Sequence, residues 1–405
     1  MKVPRVAPVL LVVMLMLPAS TRGDALTLTP SAALQVAHTD NLFFSQEDPV
    51  EDTVTTLTAG LDVSDRNEIL AWHVSGQVKP YFYAENDDLD AMDEFYQARA
   101  TYQASPRLHL NLDGAFTLTN RADRDLEDTG LVYDTDRRDT TQFSGNGHYV
   151  LSETADLTAA FSCEQNDWHT EDDEELDSQS GSLILNTSKN ISRHIRQTSL
   201  IFQGGYSQFD YDSAAIQSGF ASLGLQSRLS ETLSVQADAG LRYTETEYEV
   251  STSTLTASGI ETTKETEKTV GRSGLGNLSL SYQGAATRVT VSASHDIRTA
   301  SGSQGTANLS RASLQIWQRL LDHLTLGFSG SYYLNKADAG EYAENMVDQE
   351  TIRIRPWLRY GFLDHWSLEG FYVYTRLQDH EADTTTERHR VALTLSVDWP
   401  IDLND

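Results

Sequence analysis

Along most of this chain apolar and polar residues alternate one by one. The segment from Leu70 to Ala84 is the clearest: Leu70, Trp72, Val74, Gly76, Val78, Pro80 and Phe82 share one parity, against Ala71, His73, Ser75, Gln77, Lys79, Tyr81 and Tyr83 on the other. Leu324, Leu326, Phe328, Gly330, Tyr332 and Leu334 repeat the pattern. So do Leu108, Leu110, Leu112, Gly114, Phe116 and Leu118, and, near the end, Val391, Leu393, Leu395, Val397 and Trp399. A period of two belongs to a β-strand whose two faces meet different media. The polar parity holds so many Gln, Ser, Thr, Asn, Asp and Arg residues that a dry core would leave many of them unpaired. The expected arrangement is therefore an apolar face against lipid and a polar face against water.

The connections set the topology. A seven-residue pattern recurs at Leu151–Leu157, Leu229–Val235, Leu320–Leu326 and Phe362–Leu368, each copy pairing an acid with Thr or His just before a new strand. These are tight turns. Further short turns are expected near 65–68, 105–107, 189–194 and 284–287. Between the short turns fall longer polar connections at 39–52, 86–91, 120–139, 166–177, 208–214, 250–268, 299–306, 336–348 and 378–387. Strict alternation of short and long connections puts all the turns at one end of a sheet and all the loops at the other. The predicted fold is all-β, a single closed antiparallel up-and-down transmembrane β-barrel of about eighteen strands, sixteen being the alternative count. Ten to twelve residues tilted by roughly 40° reach about 25–30 Å, the height of a lipid-facing band. A soluble sandwich is the rival fold, since alternation alone suits it too.

Length and composition narrow this reading. A chain of 405 residues holds one large barrel or two to three ordinary domains. Past residue 20 there is no apolar run long enough for a membrane-spanning helix. The single cysteine, Cys163, excludes an internal disulfide and a cysteine-built metal site. Lys2 and Arg5, the apolar run Val6–Leu17 and the small residues before Asp24 form a secretory signal peptide over 1–23, with the barrel domain over 24–405. The formal net charge is −29, so nucleic acid is not an expected partner. The nine longer connections hold 35 of the 59 acids but only 7 of the 30 basic residues, which makes the loop end the negative end. The densest acidic run, Glu171–Glu175, is read as a solvated loop; bridging by divalent cations to lipopolysaccharide is the functional alternative.

The chain contains no nucleotide-binding loop, zinc motif or nucleophile elbow, and no catalytic residue, metal site or cofactor is expected. Histidines are scattered: His73, His109 and His148 on inward parities, His323 and His365 in turns, His295 on an apolar face. An enzyme at the barrel surface would need a Ser or Asp within hydrogen-bond reach of a His on a neighbouring strand. The most specific inward cluster is Arg353, Arg355, Trp357 and Arg359 on one parity of 350–360, with Glu369 and Arg390 on following strands. Guanidiniums beside aromatic rings suit an anionic solute or a sugar polymer, by paired contacts to carboxylates and by stacking. The alternative is a wall network in which these arginines pair with Glu369 and with inward acids such as Asp113, Asp238 and Asp398. Pro356 and Gly370 weaken regular pairing and mark a candidate bulge.

The N-terminal element Ala37-His-Thr-Asp-Asn-Leu-Phe-Phe44, followed by an acidic loop and the strand Thr53–Val63, resembles the opening of outer-membrane β-barrel porins encoded with exopolysaccharide and exosortase systems. An Asp-Asn-aliphatic-Phe element follows the first strand there; here it is Asp40, Asn41, Leu42 and Phe43. The resemblance implies an integral outer-membrane protein of a Gram-negative bacterium and a conduit for polysaccharide. It carries over no catalytic residue. One departure is the end of the chain, where Trp399 is followed by Pro400 and five further residues rather than closing the sequence.

The expected function is therefore an outer-membrane porin or conduit for hydrophilic solutes, not an enzyme. The expected partners are outer-membrane lipid and lipopolysaccharide, the barrel assembly machinery, and a polysaccharide with a periplasmic export partner. Alternatives are a structural or adhesive barrel with a plugged lumen, in which the connections at 120–139 and 250–268 fold inward or form a docking face, and an outer-membrane barrel hydrolase.

Overall fold

The computed structural model describes residues 26–120, 126–132, 137–169, 175–187, 198–211, 214–256, 259–299, 306–337 and 347–403. The expected signal peptide, the turn at 189–194 and most of the acidic run Glu171–Glu175 lie outside them. The strands are β1 (Thr27–Thr39), β2 (Asp52–Arg66), β3 (Leu70–Tyr83), β4 (Ala91–Ser105), β5 (Leu108–Thr119), β6 (Arg138–Ser152), β7 (Ala155–Trp168), β8 (Glu175–Thr187), β9 (Thr198–Tyr211), β10 (Ala214–Arg228), β11 (Leu233–Thr256), β12 (Gly259–Gln283), β13 (Thr287–Thr299), β14 (Thr306–Leu321), β15 (Leu324–Ala337), β16 (Val347–Leu363), β17 (Trp366–Asp379), β18 (Thr384–Asp398) and a two-residue β19 (Ile401–Asp402). Each long strand pairs antiparallel with its neighbours in sequence, and β1 pairs with both β2 and β18. The sheet is a closed ring of eighteen strands, and the sixteen-strand count is discarded.

Register identifies the two faces. Leu34 lies opposite Leu395, which lies opposite Leu368, then Tyr360, then Leu324, an apolar row running round five strands. Leu34, Leu368 and Tyr360 are exposed on the convex side and Leu395 and Leu324 half-buried, whereas residues of the other parity of β1, such as Ala37 and Thr39, are buried against the concave side. Inward and outward positions below follow from this alternation.

Local chemistry closes the short turns. The Ser230 hydroxyl accepts from the amides of Thr232 and Leu233, the Ser105 hydroxyl from those of Arg107 and Leu108, and the Asn67 side-chain oxygen from those of Ile69 and Leu70. A short polar side chain thus satisfies the amides that the turn removes from the ladder. In four hairpins the register shifts by one residue beside a two-residue turn, between Gln103 and Ser105, Val150 and Ser152, Arg319 and Leu321, and Gly361 and Leu363. Three copies of the recurring turn pattern therefore carry the same bulge, which adds the twist a hairpin needs there.

Two expectations fail. The connection expected at 250–268 is mostly strand: β11 and β12 pair continuously up to Thr256 and Gly259, as do β9 and β10 to within two residues of each other. Val250-Ser-Thr-Ser-Thr-Leu-Thr256 is rich in β-branched residues, yet a hairpin standing in water needs no apolar face, so its polarity reads as loop. Its strands run some ten residues longer than their neighbours, about 25 Å of hairpin beyond the rim after allowing for tilt. The bulge expected at Pro356 and Gly370 is absent too. Pairing lapses between Ile354 and Trp357 but resumes in the same register, so the missing proline amide costs a hydrogen bond and nothing more.

The closing seam extends past the proline near the end. The Trp399 amide donates to the Pro30 carbonyl at 3.0 Å and the Leu403 amide to the Leu26 carbonyl at 2.9 Å, with Ile401 and Asp402 paired to Leu28 and Thr27. The residues beyond Trp399 continue the seam along β1, and the Trp399 ring packs on His365.

Candidate functional site

The long β16 carries Arg353, Arg355, Trp357 and Arg359 on its inward parity, a row descending about 20 Å of wall at some 3.3 Å per residue. β17 presents Glu369 and Phe371 beside it and β18 presents Arg390, so all six predicted residues face the lumen. Arg355 donates to Glu369 Oε1 at 2.9 Å, and the Arg359 Nε and a terminal nitrogen reach Glu369 Oε2 at 3.0 and 2.8 Å. Glu369 thus joins two guanidiniums and is itself mostly covered. Arg355 also stacks over Phe371 at 4.4 Å. Trp357 lies flat on β15 because Gly327 stands directly opposite, where any Cβ would collide with the indole. Arg390 donates to Gln35 at 3.4 Å.

The pairing expected with Asp113 and Asp238 is not found: Asp113 pairs with Arg99 on its own side of the barrel, and Asp238 accepts from Asn277. The third arginine has a different partner. Residues 126–132, from the connection between β5 and β6, lie against the inner wall of β15 and β16, seven to nine strands away round a ring of eighteen. The Tyr333 hydroxyl donates to the Glu127 carbonyl, Asn335 Nδ2 to the Thr129 carbonyl at 2.8 Å, and the Thr351 hydroxyl to the Gly130 carbonyl. Arg353 pairs with the Glu127 carboxylate at 2.7 Å. Leu126 and Leu131 are 1% and 3% exposed, so apolar burial as well as hydrogen bonding seats the segment. Gly130 has φ +75°, and a Cβ there would sit 2.5 Å from Tyr333. A loop expected either to fold inward or to dock outward therefore crosses the lumen, and the arginine row begins where it lands.

Inward charge is unevenly distributed among the described residues. From β13–β18 the wall presents Arg288, Arg311, Arg319, Arg353, Arg355, Arg359, Arg388 and Arg390 against Asp296, Glu369, Asp379 and Asp398. From β2–β7 it presents Arg66, Lys79, Arg99 and Arg138 against Asp52, Asp62, Asp93, Asp113, Asp156 and Glu164. The β13–β18 stretch of wall is positive and the β2–β7 stretch slightly negative, in a chain that is strongly acidic as a whole.

The Asp40–Phe43 element folds over the inner rim. Asn41 is buried, its Nδ2 donating to the Ser45 and Glu387 carbonyls while its Oδ1 accepts from the Ser45 amide. Asp40 Oδ1 accepts from the His389 amide at 2.7 Å, which ties the loop to β18. Phe44, at φ +56°, lies under the Arg388 guanidinium at 4.0 Å. On the opposite, lipid-side parity, His295 Nδ1 and Ser310 Oγ are 2.7 Å apart on adjacent strands. Sequence order hides this contact, because it depends on register across a connection of unknown length. Among the described residues no acid is bonded to the other ring nitrogen of His295, so the pair lacks the group that would orient it as a base.

No protein-family model and no curated protein matches the chain. Solved structures align with the chain at low identity. The ferric-catecholate import receptor Fiu from E. coli K12, closed form, aligns at 10% identity over 93% of this chain and 82% of its own, with a TM-score of 0.48. OccAB4 of Acinetobacter baumannii aligns at 9% over 94% of this chain and 99% of its own, TM-score 0.47. The outer membrane protein OpdK from Pseudomonas aeruginosa aligns at 10% over 92% and 99%, TM-score 0.44.

Proposed function

We propose that this protein is an outer-membrane channel that passes hydrophilic anionic solutes along the arginine row of β16, past a constriction formed by residues 126–132. The closed ring with an apolar outer belt supports the membrane placement, since a bilayer offers no partners to open strand edges. The observation that carries the function is the descending row Arg353, Arg355 and Arg359, which begins at the landing point of the crossing segment. A carboxylate or phosphate moving down this wall exchanges one guanidinium for the next while Glu369 keeps the contacts weak enough to leave. Export of an acidic exopolysaccharide is the narrower form of the same proposal; it rests on the Asp40–Phe43 element and on the half-buried rings of Trp357 and Phe371 beside the arginines.

The test is single-channel conductance and reversal potential of the refolded mature chain in a planar bilayer. Anion selectivity is expected, reduced severalfold when Arg353, Arg355 and Arg359 are all changed to Gln. Cation selectivity in the unmodified protein would sink the reading. A second reading, a barrel sealed by the crossing segment and serving a structural role, draws on the near-complete burial of Leu126 and Leu131. It predicts insertion without current.

A further inference from the structure

A second site begins two strands round the wall from the arginine row, at β18. We infer that an alcove on the inner wall of β1–β4 and β18 binds one neutral sugar ring. The alcove encloses about 250 Å³. Inward residues Thr39, Val54, Tyr81, Tyr83, Arg388 and Arg390 form its wall, Leu42 and Phe43 of the first loop cover it, and Asp88, Asp90 and Asn120 complete the rim.

Two uncharged polar atoms of its lining are buried without a hydrogen-bond partner. The Thr39 side chain is only 4% exposed, yet its hydroxyl bonds to nothing, and the Asn120 side-chain oxygen is likewise buried and unbonded. An unmet hydroxyl and an unmet amide oxygen lining one cavity cost free energy unless something in the cavity meets them. One can both donate and accept; the other only accepts. A ligand carrying several hydroxyl groups satisfies both.

The charges select among such ligands. Asp88 and Asp90 line the cavity together with Arg388 and Arg390, so a bare anion and a bare cation each meet charge of their own sign there. A neutral polyol meets none. Phe43, Tyr81 and Tyr83 add ring surface for the C–H face of a sugar, and the volume, about eight waters' worth of liquid, suits one ring rather than two. The scaffold is rigid: Asp52 accepts from the amides of Ala84, Glu85 and Asn86 and holds down the loop carrying Asp88 and Asp90.

This inference concerns a neighbouring stretch of wall that contains none of Arg353, Arg355 and Arg359, and a different solute class from the anion row. It is tested by saturation-transfer NMR on the detergent-solubilised mature chain with D-glucose, D-glucuronate and D-glucosamine as probes. Saturable glucose binding is expected, tighter than that of either charged analogue. Thr39→Val removes only an unpartnered hydroxyl, so the barrel keeps its heat-modified mobility while glucose binding falls about tenfold; Asn120→Ala, whose backbone bond to Asp93 survives, gives a similar loss. Absence of saturable glucose binding, tighter binding of a charged analogue, or unchanged affinity in both variants overturns the inference. The Arg353, Arg355 and Arg359 triple variant should bind glucose normally. Anion current without glucose binding would sink this site alone, and glucose binding without anion current would sink the conduit alone.

Discussion

Arg353 of the barrel wall pairs with Glu127 of a segment that leaves the ring more than a third of its circumference away. Glu127 is 67% exposed and Arg353 only 17%, so the pair sits at the edge of the lumen water. Such a half-exposed pair contributes under about 1 kcal/mol, and less at high salt. Glu127→Gln should therefore leave barrel stability unchanged. It should instead loosen the landing of the segment, seen as extra open-channel noise that the unmodified protein shows only at high ionic strength.

Gly130 is a stricter requirement. With φ +75° and Tyr333 2.5 Å from the position of any added Cβ, Gly130→Ala meets both backbone strain and a clash. A cost of about 1–3 kcal/mol falls on the seat of the segment alone. The expected outcome is a larger mean conductance with unchanged heat-modified mobility. Gly274→Ala, where nothing lies within 4 Å, serves as the control and should change neither.

How far the sequence foretold these contacts depended on what fixes register. Leu70–Phe82 announces its two faces because lipid and water impose opposite chemistry on alternate residues. The Arg359–Glu369 pair is legible for a related reason: the two-residue turn after Leu363 fixes how β16 meets β17, and the two residues fall opposite each other. The Glu127–Arg353 pair is not, because 226 positions and an irregular segment separate its members. His295 and Ser310 fail similarly, across residues 300–305. The hairpin at 250–256 reads as loop because the apolar signal disappears where a strand leaves the membrane, although its β-branched content remains. Thr39 offered no signal, since an unpartnered hydroxyl is a property of its surroundings.

Asp52 should prove the structural keystone of the inner rim. It is 2% exposed, and its two oxygens accept from the amides of Thr53, Ala84, Glu85 and Asn86 and from Asn86 Nδ2. Asp52→Ala strands these donors and should cost about 2–3 kcal/mol. Limited proteolysis should then cut within residues 84–90, which the unmodified protein protects, and glucose binding at the alcove should weaken with it. Asp62→Ala, on the same strand and face but in open lumen bound to His73, should do neither.

The membrane placement makes a prediction independent of any solute. Leu34 lies at the middle of β1, flanked by Leu57 and Leu395, and is 43% exposed on the convex face. In water, Leu34→Arg at so open a site would be almost neutral, within about 0.5 kcal/mol. At the midplane of a bilayer the same change costs about 2–4 kcal/mol, because the guanidinium must either lose its hydration or pull water and headgroups inward. Ala33→Arg, one residue along, points into the wet lumen and should be tolerated. Reversible urea unfolding in lipid vesicles, followed by tryptophan fluorescence, separates the cases. A penalty at Leu34 that is absent at Ala33 is the expected outcome; equal effects at both would mean that the outer face does not meet lipid, and the channel reading would fall with it.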